Sequence, residues 1–164
     1  MKIGIISDTH NDTKRTQEVV EQLLQNNISY LIHAGDIGQK VLDLLSTLPI
    51  KTIAVYGNTD RGRIVGDYSN IILQNPLYYF KIKDTTFKLM HEPYYLTPDS
   101  DVVIFGHTHM YECKKDRSLY LNPGEVCARE KPLIESALLE LPSLRVTRIY
   151  KDLKQYQWIE ERCA

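Results

Sequence analysis

Five short apolar runs in this chain each stop on side chains that bind metal ions. They are Ile3-Gly4-Ile5-Ile6-Ser7-Asp8-Thr9-His10, Leu31-Ile32-His33-Ala34-Gly35-Asp36, Thr52-Ile53-Ala54-Val55-Tyr56-Gly57-Asn58, Phe87-Lys88-Leu89-Met90-His91 and Asp101-Val102-Val103-Ile104-Phe105-Gly106-His107-Thr108-His109. Strands buried on both faces read as continuous β-branched runs. In open α/β sheets the reactive side chains gather beyond the strands' carboxyl ends. The pattern predicts five strand ends facing one crevice.

The residues so gathered are Asp8, His10, Asp36, Asn58, His91, His107 and His109: two carboxylates, one carboxamide and four of the five histidines. Ordinary histidines scatter through helices and loops, whereas these sit at strand ends. Mn, Fe and Zn take carboxylate oxygen and imidazole nitrogen together. Seven donors exceed what one four-coordinate ion uses, so two ions are expected. A carboxylate shared between them must be central, and Asp36 fits because its strand should lie near the middle of the sheet. Asp8/His10 and His107/His109 share an i, i+2 spacing that in a turn aims both side chains at one point. His33 lies inside its strand and is read as buried, orienting Asp36 or another ligand. Asp8 and Asp36 also suit helix N-caps, but Asp12 is better placed for the first helix. Asn58 also suits a turn, a reading that the surrounding donors outweigh.

In order and spacing, Asp8-Thr9-His10, Gly35-Asp36, Gly57-Asn58-Thr59-Asp60, the lone His91, Gly106-His107-Thr108-His109 and Leu121-Asn122-Pro123-Gly124 resemble the calcineurin-like metallophosphoesterases. Within that family the likeness is to the small single-domain phosphodiesterases of bacteria and archaea. It runs from residue 2 to about residue 150, and the set of blocks is specific where one alone is weak. It implies one metal on Asp8, His10, Asp36 and His109 and a second on Asp36, Asn58, His91 and His107. Mn is the expected ion, with Ni, Fe or Zn as alternatives. The family usually has Gly where this chain has Glu92.

Two such ions hold a hydroxide between them and offset phosphoryl charge, so no Ser or Cys nucleophile is required. The expected activity is hydrolysis of phosphodiesters, with Asp36, Asn58 and His107 as catalytic residues. Many phosphatases of the wider family place a His after the Asn ligand. Thr59 stands there in this chain, which favours diesters with good leaving groups, or protonation by water or Asp60. Asp60 reads equally as a ligand-orienting group and as a salt-bridged or turn-capping residue. Arg61 and Arg63 lie where a phosphate could be received and also suit a solvated loop. Tyr94-Tyr95 read as a wall of the cleft or as packing over the sheet. Asn122-Pro123-Gly124 reads as a turn bracing the His107/His109 loop. A phosphomonoesterase on the same site is one alternative. A non-catalytic scaffold, like the related retromer subunit, is another, and loss of ligand imidazoles would be its mark.

At 164 residues and a net charge of -1, the chain suits one domain, residues 1–164, without general attraction to nucleic acid or anionic membrane. No apolar run is long enough to span a bilayer, and Met1-Lys2-Ile3 enters a strand at once. The expected location is cytoplasmic. Cys113, Cys127 and Cys163 form no CxxC pair and are read as reduced.

Strands are expected at 2–7, 29–33, 51–56, 77–83, 85–90 and 101–105, with helices from Asp12 to Gln25 and from Gln39 to Leu48. Further strands near 110–115, 118–121, 134–141 and 144–150 read as a second, mainly antiparallel sheet. Residues 151–164 are assigned to a terminal helix docking through Trp158 and Ile159, or to an oligomer contact. The fold class is α/β, a four-layer α/β/β/α sandwich of two mixed sheets flanked by helices. The family adds a homodimer as an expectation.

Overall fold

The first three apolar runs form parallel strands β1 (Lys2–Ile6), β2 (Tyr30–His33) and β3 (Lys51–Val55), linked through helices α1 (Thr13–Leu24) and α2 (Gln39–Ser46). Asp12 caps α1, its carboxylate accepting from Arg15 N at 3.0 Å. Buried Val19, Val20 and Leu23 give that helix the apolar stripe expected of it. The computed structural model describes residues 1–163.

Beyond β3 come β4 (Ile71–Gln74), β5 (Tyr78–Ile82), β6 (Thr85–Leu89) and β7 (Val102–Ile104), then β8 (Tyr111–Lys115), β9 (Leu119–Pro123), β10 (Leu133–Glu140), β11 (Arg145–Asp152) and β12 (Gln157–Arg162). They form a seven-stranded sheet of order β12-β11-β10-β1-β2-β3-β4 and a five-stranded sheet of order β5-β6-β7-β9-β8. Both are mixed, as expected. β1 to β4 run parallel while β10 joins β1 antiparallel, and β6, β7 and β9 run parallel between antiparallel edge strands.

The sheets pack face to face. Ile3, Ile5, Ile32, Ile53 and Val55 of one meet Phe87, Leu89, Val102, Ile104, Leu119 and Leu121 of the other. On the outer side of the seven-stranded sheet, Ile6, Leu31 and Ala54 receive Val19, Leu23, Val41, Leu42 and Leu45 from the helices. Both helices lie on that side. Over the five-stranded sheet, Met90, Val103 and Phe105 are covered by Leu77 and Tyr120. There the loop of residues 92–99 is tied down by the buried Lys88 ammonium, which donates to Thr97 O and Oγ1 at 2.9 Å and pairs with Asp99 at 2.7 Å. Loop chain takes the place of a second helical layer. Among the described residues no helix is long and apolar enough to cross a membrane.

Four expectations are corrected. The second sheet does not begin after His109: β10 and β11 return to pair with β1 and with each other in the first sheet. Ile71–Gln74, where no strand was expected, is a strand, because β3 offers it a free edge at Thr52 to Val55. Residues 157–162 form the edge strand β12 rather than a helix, Trp158 and Ile159 pairing against Lys151 and Tyr150. Cys113 and Cys163 are joined in a disulfide, because β8 and β12 end up as neighbouring edges of the two sheets. That pairing overturns the reading of these two cysteines as reduced, and Cys127 alone of the three is free.

Candidate metal centre

Strand register decides which loops meet. Ile6 pairs with His33, and His33 with Ala54, so the chain leaves β1, β2 and β3 at one level. In the other sheet Leu89 pairs with Ile104 and Ile104 with Leu121, which aligns the exits of β6, β7 and β9. The two sets of loops face each other at one end of the sandwich. Gly106 permits the approach, since a Cβ there would collide with Ser7 Oγ and Asp8 Oδ2.

At those exits the backbone turns left-handed. Asp8, His10, Asp36, His107 and His109 all have positive φ, between 43 and 69°. Asp and His are among the side chains that tolerate this region, yet each non-glycine residue held there costs on the order of 1–3 kcal/mol. The left-handed residues reverse the chain locally, which is how an i, i+2 pair comes to aim at one point. Backbone bonds across the loops hold the turns: Asp8 N to Gly35 O and His10 N to Asp36 O at 3.0 Å, and Gly106 N to His91 O at 2.9 Å.

The seven side chains named from the sequence come together in two overlapping groups. In the first, Asp8 Oδ1 lies 3.3 Å from His109 Nε2 and 3.7 Å from His10 Nε2, and His10 Nε2 lies 3.5 Å from Asp36 Oδ2. In the second, His91 Nε2 lies 3.2 Å from Asp36 Oδ2 and 3.3 Å from His107 Nδ1, which is 3.2 Å from Asn58 Oδ1. Asp36 Oδ2 belongs to both. Its other oxygen is occupied by Thr59, whose N–H and hydroxyl donate to Oδ1 at 3.0 and 2.8 Å. Asp8 is arranged likewise, Oδ2 accepting from Ser7 Oγ at 2.6 Å and His107 N at 3.1 Å.

These groups fit divalent cations. Donors about 2.1 Å from one ion at tetrahedral or octahedral angles are roughly 3.0–3.4 Å apart, close to the spacings observed. Asp8 Oδ1 and His10 Nε2 are buried with no hydrogen-bond partner among the described residues, a costly state unless a cation takes their lone pairs. The imidazoles are oriented for it: His91 Nδ1 meets Ala34 O at 2.7 Å and His109 Nδ1 meets Glu125 Oε2 at 2.6 Å, which leaves each Nε2 as the free lone pair. The mix of oxygen and imidazole donors suits Mn, Fe, Ni or Zn.

Burial would raise the carboxyl of Asp36, but hydrogen bonding and charge from His91 and the two bonds from Thr59 hold it well below the usual range. Asp8 is lowered too: burial opposes, but the nearby His10 ring, the bond from Ser7 and the charges of His91 and His109 prevail. His91 is raised despite burial by Asp36 and Asp8. Both carboxylates are thus ionised at neutral pH, as metal ligands must be.

Other sequence readings are now placed. His33 is fully buried, Nε2 3.0 Å from Thr9 Oγ1 and Nδ1 accepting from Gly35 N at 3.1 Å. It is outside both donor groups and pins the loop that carries Asp36. Asp60 is also buried and caps three backbone N–H groups, Ile37 and Gly38 at 3.0–3.1 Å and Gly57 at 2.8 Å, locking the β2 and β3 loops together. It has no arginine partner among the described residues. Asn122 Nδ2 donates to Gly106 O at 3.1 Å and Thr108 Oγ1 at 2.9 Å, the brace expected of that turn. Arg61 pairs with Glu92 at 3.4 Å on the exposed rim. Tyr94 and Tyr95 are exposed and line a cavity of about 320 Å³ with Arg61, Leu77, Met90 and Glu92.

Glu125 was not legible as a site residue. It is fully buried, receives His109, and is held by the N–H groups of Arg129, Glu130 and Lys131 at 2.8–3.2 Å. Burial raises its carboxyl, but His109 and the Lys131 N–H and charge leave it lowered. With His109 and Cys127 it forms a third cluster of potential ligands. Burial pushes the Cys127 thiol up to about 12, so it offers no thiolate, and the Glu125 oxygens are committed to N–H groups. The cluster therefore orients His109.

Known proteins resemble this chain in sequence and in fold. The model of the calcineurin-like phosphoesterase superfamily domain matches residues 1–143. The phosphodiesterase MJ0936 of Methanocaldococcus jannaschii is 32% identical over 142 residues, 77% of this chain and 85% of the relative. A solved archaeal phosphodiesterase superposes with a TM-score of 0.74 at 25% identity, covering 99% of this chain and 100% of the other. Vps29 of Entamoeba histolytica, at 23% identity and a TM-score of 0.74 over 99% and 98% of the two chains, shares the fold.

Proposed function

The chain belongs to the calcineurin-like phosphoesterase superfamily and is a metal-dependent phosphoesterase, and from that premise we propose that it hydrolyses phosphodiesters at a dinuclear centre. The observation that carries the reading is Asp36 Oδ2, which faces both donor groups while its partner oxygen is tied to Thr59. Asp8, His10 and His109 would complete one site with Asp36, and Asn58, His91 and His107 the other, with Mn as the expected ion. Two bound ions supply an acidified water and offset the charge gathering on the phosphoryl oxygens.

The chain's own residues set the geometry. Ser7 and the His107 N–H fix Asp8, Thr59 fixes Asp36, Ala34 O fixes His91 and Glu125 fixes His109. Such preorganisation is the protein's main contribution to phosphoryl transfer. Asn58 and His107 are the exposed members, so they meet substrate first. Diesters are favoured because no imidazole follows Asn58 to protonate a poor leaving group, and the Thr59 hydroxyl is already spent on Asp36. The relative named a phosphodiesterase supports the same choice.

The test compares a chromogenic diester, bis(p-nitrophenyl) phosphate, with p-nitrophenyl phosphate, each with added Mn and with chelator. Metal-dependent turnover of the diester, well above that of the monoester, is the expected result. Preference for the monoester would assign a phosphomonoesterase. Tight metal uptake without turnover of either would assign a scaffold, as the shared fold of Vps29 allows. The homodimer implied by the family is checked by sedimentation of the same preparation.

A further inference from the structure

One cavity beside the centre carries positive charge that the surrounding side chains leave without an ion pair. It holds about 330 Å³ and is lined by His10, Asn11, Gly38, Thr59, Arg63 and Arg129, among others. Arg63 comes from the turn after β3 and Arg129 from the turn after β9, so distant parts of the chain each contribute an arginine to its lining. Both arginines are exposed, and among the described residues neither pairs with a carboxylate, whereas Arg61 on the Asn58 and His91 side is neutralised by Glu92. Helix α2 opens onto the same cavity at Gly38, but its Gly38 and Lys40 N–H groups are taken by Asp60 Oδ1 at 3.1 Å and Asn11 Oδ1 at 2.9 Å, so the positive charge of the cavity rests on the two arginines. Asp60, the carboxylate among the lining residues, is buried and turned to the N–H groups of Ile37, Gly38 and Gly57.

We propose that this cavity receives a second phosphoryl group carried by the substrate, so that the preferred substrates are phosphodiesters with a further phosphate on one arm. The inference rests on the phosphodiesterase reading and deepens it. Guanidinium groups bind phosphate oxygens in pairs of parallel hydrogen bonds. His10 belongs both to the first donor group and to the cavity wall, so an anion held there adjoins the reacting centre. The cavity on the other side offers the opposite chemistry, with Tyr94, Tyr95, Leu77 and Met90 around a neutralised arginine. A substrate lying across the site is thus received by charge at one end and by apolar surface at the other.

Two p-nitrophenyl esters differing by one phosphate provide the test: thymidine 5′-(p-nitrophenyl phosphate) with and without a 3′-phosphate. Both release p-nitrophenolate when water cleaves the diester. With Mn, the 3′-phosphorylated ester should show kcat/KM higher by at least about tenfold, mainly through KM. In Arg63→Ala/Arg129→Ala the ratio should fall towards one. Both arginines are exposed, so the variant is expected to fold, and its circular dichroism confirms that. Equal efficiency of the two esters on the unaltered protein overturns the subsite and leaves the phosphodiesterase reading standing. If neither ester is hydrolysed, calorimetric titration of thymidine 3′,5′-bisphosphate into the chelator-treated protein decides. Binding that the double variant loses supports the subsite while the activity reading fails, and absence of binding overturns it. Inorganic phosphate binding as tightly as the bisphosphate would give the cavity to a free anion and overturn the substrate assignment.

Discussion

Glu125 shows how much of the centre depends on a side chain outside the donor groups. Its carboxylate fixes which nitrogen of His109 carries the proton, and partners of this kind typically alter metal affinity by about 10–100-fold. Glu125→Gln keeps the shape but gives up the charge, so metal affinity measured by calorimetry should fall within that range while the circular dichroism spectrum is retained. Unchanged affinity would show that His109 needs no such partner. His33 makes a different demand on the fold. Its Nδ1 accepts from Gly35 N, so the proton resides on Nε2 facing Thr9 Oγ1, which itself donates to Ile37 O at 2.8 Å. Burial outweighs the attraction of Asp8 and Asp36 and pushes its pKa down from 6.5 to about 3. The unfolded chain takes up that proton near pH 6.5 and the folded chain resists it, so the stability His33 contributes is complete above pH 6.5 and lost as pH falls towards 3. Urea titrations of the metal-free protein should show a loss approaching ~1.4 kcal/mol per pH unit between pH 5.5 and 4 from this residue. His33→Gln, which keeps a donor and an acceptor, should be less pH-sensitive by about that slope. An identical slope in the variant would exclude His33 as the source.

Elements were legible where local pattern and tertiary demand coincide. The β-branched runs of β1, β2 and β3 are buried on both faces, so their sequence alone marks them, and the α1 stripe is as clear as its Asp12 cap. The convergence of the seven candidate donors was legible because a strand that ends in Asp, Asn or His has few bland explanations. β12 lacked such a signal: Gln157 to Arg162 lies on a sheet edge, mostly exposed, and does not alternate, so its charges suited a helix face equally well. β4 is short and half-buried, and its strand character comes from the open edge of β3 rather than from its own residues. The return of β10 to β1 is a matter of topology, which spacing along the chain does not encode. The Cys113–Cys163 bond depended on the misreadings of β12 and β10, because its partners are neighbours only once β8 and β12 are known to be edge strands. With its ends separated by 50 positions in sequence, the crosslink restricts the unfolded chain and should contribute about 2–4 kcal/mol. Guanidinium unfolding of Cys113→Ser/Cys163→Ser should show that loss, and a reductant that destabilises the unaltered protein should leave the variant unaffected. Equal midpoints for the variant and the oxidised protein would mean the bond is absent in solution.

On the scale of the whole molecule, the centre draws on both halves of the sandwich. Asp8, His10, Asp36 and Asn58 leave the seven-stranded sheet, while His91, His107 and His109 leave the five-stranded one. Without cations the loops juxtapose two ionised carboxylates, leave Asp8 Oδ1 and His10 Nε2 buried and unpartnered, and hold five donors in left-handed backbone. These costs fall on the folded state alone, so a ligand that relieves them acts on folding as well as on catalysis. Each cation bound to the folded chain at 100 times its dissociation constant stabilises it by about 2.7 kcal/mol. For a domain of this size that corresponds to a rise in Tm of roughly 5–10 °C per ion. Chelated protein should melt lower by about that amount and recover with Mn, and amide exchange should quicken in loops of both sheets together. Asp36→Asn removes the carboxylate common to the two donor groups, so it should melt near the chelated parent and show little response to Mn. His107→Ala removes a donor of one group only and should keep part of the response. A variant at Asp36 that still gains the full Mn-dependent rise would show that the cations bind elsewhere, and the assignment of the centre to these loops would fall with it.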